Sequence, residues 1–121
     1  MNYILVTKDN FSYIEVLADG DLVKSERDAL DLVSACGENG TQNLLLPAAG
    51  LPPEFFDLST GLAGAVMLKL TMYFIHTAIL ITPEIEGNGR FHELVLEANR
   101  RDRQLHFFYE REAAESWLAS R

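Results

Sequence analysis

From Gly61 to Ile81 the chain is almost wholly apolar, and this run limits what the rest can become. It is long enough to span a bilayer. However, Lys69 sits near its middle and His76 follows. A lysine at the centre of a spanning helix costs about 3 kcal/mol on insertion scales. The residue types also change part-way, from helix formers to the β-branched Ile75, Thr77, Ile79 and Ile81. The run therefore predicts a buried helix, from about Ser59 to Tyr73, leading into a buried strand over 75–82, and no membrane span. Leu62, Val66, Leu70 and Tyr73 fall on one side of that helix.

The elements around this pair follow from the same periodicities. Residues 3–8 and 11–17 are rich in β-branched and aromatic types, and Asp9-Asn10 between them tolerates positive φ, so an antiparallel hairpin is expected. Ser25 to Asp28 has the spacing of a capping box. Ala29, Leu32, Val33 and Cys36 then recur as one helical face, with Gly37 as the stop. The short run Leu44-Leu45-Leu46 suits a strand covered on both faces over 43–47. Residues 83–89 read as a mobile polar loop. Phe91, Leu94, Val95 and Ala98 form another helical face, with Asn99 as its C-cap. A last strand over 104–109 and a closing helix over 112–119 complete the order β-β-α-β-α-β-α-β-α. Such alternation builds an α/β domain, here a mixed sheet of four or five strands with helices mainly on one face. No repeat or second domain is evident in the 121 residues.

Charge narrows the function classes. Eighteen acidic and ten basic residues give a net charge of −8, which repels nucleic acid and anionic lipid. A single cysteine, Cys36, forbids an intramolecular disulfide, and the start of the chain lacks a basic leader; both fit a cytoplasmic protein. Cys36 itself reads as a small core residue. His76, His92 and His106 lie on different elements without metal-type spacing, so no metal or other cofactor is expected. His92 is placed on a solvated helix face. No Ser/His/Asp or Cys/His order stands out, and no two carboxylates are forced together as an acid–base pair. Gly87-Asn88-Gly89 lacks the lysine and hydroxyl of a phosphate loop. Arg100, Arg101 and Arg103 form the one basic cluster. It either offsets a helix C-terminus or contacts an anion.

Attention falls on Phe55-Phe56-Asp57-Leu58-Ser59-Thr60-Gly61-Leu62-Ala63-Gly64. Small hydroxyl residues precede a glycine and an apolar helix, where the first backbone N–H groups lack internal partners. Ser59 or Thr60 can cap that helix or accept a phosphoryl group. Phe55 and Phe56 either cover the core or form an interaction site.

The element order, with a short strand leading through a loop to this Ser-Thr-Gly-Leu segment, resembles the STAS domain of bacterial anti-sigma-factor antagonists and sulphate transporters. It is also similar to a group of short, uncharacterised bacterial proteins, most closely over Leu51 to Leu58 with Thr60 to Gly64, and over Leu94 to Asn99 with Arg103-Gln104 and Phe107-Phe108. In antagonists a serine before the glycine of an Asp-Ser-Ser-Gly-like segment is phosphorylated by a partner kinase. Thr60 holds that position here, Ser59 precedes it, and Leu58 replaces the aspartate, with Asp57 one residue early. The resemblance implies a regulatory protein-interaction module rather than an enzyme. Phospho-acceptors would be Thr60 or Ser59, and docking would use Phe55, Phe56, Asp57, Leu58 and Gly61. A binder or sensor of a small apolar ligand beside the same helix is the alternative. The partner expected is a protein, a homodimer being one form of it.

Overall fold

The chain opens with β1 (Tyr3–Thr7) and β2 (Ser12–Val16), paired antiparallel in the register Tyr3↔Val16 to Thr7↔Ser12. This is a computed structural model, and it describes residues 2–19, 22–101 and 104–120. The hairpin closes with the Lys8 N–H on the Phe11 carbonyl at 2.8 Å. Its turn does not use the positive φ that Asp9-Asn10 would permit, because Phe74 is the one non-glycine described residue in that region.

After the hairpin, strands and helices alternate. Helix α1 (Glu26–Glu38) precedes β3 (Asn43–Pro47), α2 (Leu62–Met72) precedes β4 (His76–Leu80), and the short α3 (Pro83–Glu86) with α4 (Arg90–Arg101) precedes β5 (Leu105–Phe108). The sheet order is β1-β2-β3-β4-β5, with every pairing after the first parallel. Each crossover steps to the same side, so right-handed connections lay α1, α2 and α4 on one face. Ile14, Val16, Leu44, Leu46, Ile79, Leu105 and Phe107 meet the helices there. Helix α5 (Arg111–Ala119) follows the last strand, has no crossover to make, and packs Ala114 and Leu118 on the opposite face against Tyr13, Leu45 and Ala78. The expected arrangement, a mixed sheet with helices mainly on one face, is present.

Several local expectations need correction. Gly37 does not stop α1. The helix continues to Glu38, and the chain turns at Gly40, whose φ of 68° suits a residue without Cβ. The Ser25 hydroxyl does accept the Asp28 N–H (3.1 Å), while the Asp28 carboxylate reaches back to the Lys24 N–H (3.0 Å). Tyr73 is half exposed rather than inward, because α2 ends at Met72 and Phe74 takes φ 59° to turn the chain into β4. Asn99 is no C-cap. It lies inside α4, and its amide accepts the Phe107 N–H at 2.8 Å and donates to the Phe107 carbonyl at 3.2 Å, so it caps the outer edge of β5. Residues 83–86 form a helical turn rather than a loop: Pro83 opens it, and the Thr82 hydroxyl accepts the Ile85 N–H at 3.2 Å. Among the described residues no helix is long and apolar enough to cross a membrane. Lys69 instead pairs with Glu26 at 3.5 Å.

Helix α5 is fastened by a polar cluster. Arg111 grips the Glu15 carboxylate through two bonds of 2.8 and 2.7 Å, and the Tyr13 hydroxyl donates to Glu115. Burial, then the Glu115 carboxylate, pushes the Tyr13 hydroxyl up to about 12. The folded state thus favours the protonated phenol, so this contribution to stability is complete below the unfolded pKa of about 10 and is lost as pH rises towards 12. Chemical denaturation at rising pH should show a drop in stability above pH 10 that is smaller in Tyr13→Phe. Equal drops would exclude Tyr13 as the source.

Candidate functional site: the carboxyl edge of the sheet

The segments that follow β3, β4 and β5 meet at one edge of the sheet. After β3, two short 3-10 turns occupy Pro53–Phe56 and Leu58–Thr60. Pro53 fixes the first, and Phe55 drops into the core with 0% exposure, which removes it from any docking surface. Its ring lies edge-on to Phe56 (5.4 Å between centroids) and Phe91 (6.4 Å); Phe91 in turn meets Phe107 at 5.7 Å. Phe56 and Leu58 are half-buried against this cluster, whereas Asp57, Ser59, Thr60 and Gly61 are exposed.

The exposed turn is held by its own side chains. Asp57 accepts both the Ser59 N–H (3.0 Å) and the Ser59 hydroxyl (2.7 Å), which lowers its carboxyl pKa below the ordinary value. The Thr60 hydroxyl lies 2.7 Å from the Glu54 carbonyl and 2.9 Å from that of Asp57, and accepts the Leu62 N–H at 3.2 Å. Thr60 therefore serves the first N–H of α2, while Ser59 belongs to the preceding turn. The helix does not begin near Ser59 as expected. Gly61, at φ 78°, separates the turn from Leu62.

Alongside lies a cluster that the sequence reading did not find. Glu86, at the end of α3, is 5% exposed. One of its carboxylate oxygens accepts the Tyr109 hydroxyl, and the other lies 2.5 Å from Nδ1 of His92. His92 is thus half-buried against a carboxylate rather than on a solvated face. The Glu86 contact raises the pKa of Tyr109, which keeps its hydroxyl a donor. Thr82-Pro83 was the available signal, since a hydroxyl cap followed by proline marks a helix start and carries Glu86 inward. Shallow clefts flank Glu86. One of about 290 Å³ runs between Asp57, Ser59 and Arg90, and one of about 300 Å³ is walled by Val95, Leu96, Phe107 and Tyr109.

The family model of Domain of unknown function (DUF4180) matches residues 8–118, which takes in every residue of this edge. The chain belongs to that family. Neither curated proteins nor solved structures give a match.

The remaining candidates of this DUF4180 chain lie elsewhere. Arg100 and Arg101 contact Glu97 at 3.9 and 3.2 Å within α4; such exposed pairs contribute little. Arg103 lies outside the described residues. His106 stacks on Trp117 at 4.8 Å on the α5 face. Cys36 is fully buried on α1, and burial pushes its thiol up to about 11, which makes it a poor nucleophile. A carboxylate-oriented histidine is half of an acid–base relay, and here its carboxylate is shared with a tyrosine hydroxyl.

Proposed function

We propose that this DUF4180 chain is a cytoplasmic regulatory module of STAS-like fold that works without catalysis. It docks a protein partner through the carboxyl edge, and Thr60, secondarily Ser59, accepts a phosphoryl group that controls the docking. The observation that carries the reading is the placement of both exposed hydroxyl residues on a hydrogen-bonded turn immediately before α2. The half-buried Phe56 and Leu58 with exposed Asp57 and Gly61 supply a mixed surface beside them. Sheet topology also favours a surface over a cavity. The strand order never reverses, so the crevice at which doubly wound sheets take ligands is missing.

A phosphate on Thr60 would add nearly two negative charges beside the free N–H groups of α2, which the fold tolerates and an apolar or acidic partner does not. Phosphopeptide mapping of the chain from its native cells should find phosphate on Thr60 or Ser59. Thr60→Glu removes the same hydroxyl, so it should cost no more than about 1 kcal/mol, leave the fold intact and weaken the partner complex. Thr60→Ala should retain the complex and lose about 1 kcal/mol of stability with the cap. Unmodified hydroxyls together with unchanged binding in both variants would overturn the reading.

The cleft walled by Val95, Leu96 and Phe107 favours one second reading, a small-ligand binder, because it joins apolar walls to the buried Glu86 carboxylate. An apolar amine that raises the melting temperature of the wild type but not of Glu86→Gln would select it.

A further inference from the structure

The two edges of the sheet are finished differently. On β5, the Asn99 amide occupies the outward N–H and C=O of Phe107. On β1 the hydrogen bonds Leu17 N–H to Asn2 carbonyl and Lys8 N–H to Phe11 carbonyl fix the phase of the hairpin. In that phase the even-numbered residues turn their backbone groups towards β2, and Tyr3, Leu5 and Thr7 turn theirs outward. The strand lacks three usual protections of an edge: the segment Tyr-Ile-Leu-Val-Thr has no charge and no proline, and its register is unbroken by a bulge. Apart from Val6, which packs against the core on the α5 face, its apolar side chains are exposed on both faces. Tyr3 and Leu5 lie on the face of α1 at 38% and 43% exposure, and Ile4 on the face of α5 at 45%.

We infer that β1 is a dimerisation edge, on which β1 of a second copy of this chain pairs antiparallel about a two-fold axis at Leu5. Open backbone groups require an extended strand as the occupant, and the sequence of β1 is complementary to itself. With Leu5 opposite Leu5 of the second copy, Tyr3 faces Thr7 and Ile4 faces Val6, so the backbone groups left open on each strand meet their counterparts. No like charges oppose each other along this line although each chain carries −8, because the acidic residues lie off the strand. The result is one continuous ten-stranded sheet. A single short strand pair buries less than a standard interface, so the dimer should depend on protein concentration in the micromolar range.

Sedimentation equilibrium should give a mass rising from 13.6 kDa towards twice that value with concentration. Leu5→Lys sets two ammonium groups against each other at the axis and should remain at 13.6 kDa with an unchanged circular dichroism spectrum, since Leu5 is already half exposed. Cross-linking tests the register independently of that variant. Leu5→Cys places two thiols on residues whose Cα atoms are about 5.5 Å apart, within disulfide reach. It should form a covalent dimer under mild oxidation. Tyr3→Cys should not, because its two copies are separated by four residues along the pair, roughly 14 Å. The native Cys36 is buried and does not compete. A wild type that stays at 13.6 kDa through the micromolar range, a folded Leu5→Lys that still dimerises, or cross-linking by Tyr3→Cys and not Leu5→Cys would each overturn the inference.

Discussion

Val66→Asp should lower stability by about 4 kcal/mol, enough to leave little folded protein in a marginal domain. Val66 is fully buried on α2, between Ala63 and Leu70, which are equally inaccessible. A carboxylate there loses its hydration and meets only the apolar residues of the main core. The fall in melting temperature should be roughly 15 °C. Leu68→Asp on the same helix is the control: Leu68 is 57% exposed, so its replacement should change stability by no more than about 0.5 kcal/mol. Equal effects from the two would mean that α2 does not present this face to the sheet.

Phe55→Ala should cost a similar amount, about 3–5 kcal/mol, for a different reason. Phe55 is the inner member of the ring cluster with Phe56 and Phe91 and has no exposed surface. Truncation leaves a cavity and removes the ring that seats both 3-10 turns, so the exposed Asp57 to Gly61 segment loses its support. Chemical denaturation measures the loss. Hydrogen exchange at the Thr60 and Leu62 amides should rise more than at Leu45 in β3, because the damage centres on the turns. A loss below 1 kcal/mol with uniform exchange would mean that Phe55 is not what supports that edge.

Phe55 also illustrates what sequence patterning conveys about a site. Two adjacent aromatics in a loop with prolines are ambiguous between core and interface. The neighbouring segment cannot resolve this, because the partners of Phe55 are Phe56 beside it and Phe91, far along the chain. Asn99 is similar. At the end of a helical pattern it reads as a cap, and only the arrival of β5 gives its amide a backbone edge to pair with. The Glu86–His92–Tyr109 cluster draws on α3, α4 and the residue after β5, so no single window of sequence contains it.

What the sequence determined by itself is the kind and order of elements. Leu44-Leu45-Leu46 specified a strand covered on both faces, and all three residues are fully buried. The change from helix formers to alternating β-branched residues after Gly61 specified α2 and β4, and the facing set Ala29, Leu32 and Cys36 specified the buried side of α1. These properties follow from local periodicity, which records which side of an element meets water. The tertiary structure alone decided that Glu86 is inside, that the Thr60 hydroxyl serves Leu62, and that the β5 edge is closed by Asn99. Each of these depends on a hydrogen-bond donor or acceptor meeting a counterpart, and long-range pairings of that kind leave no period in the chain.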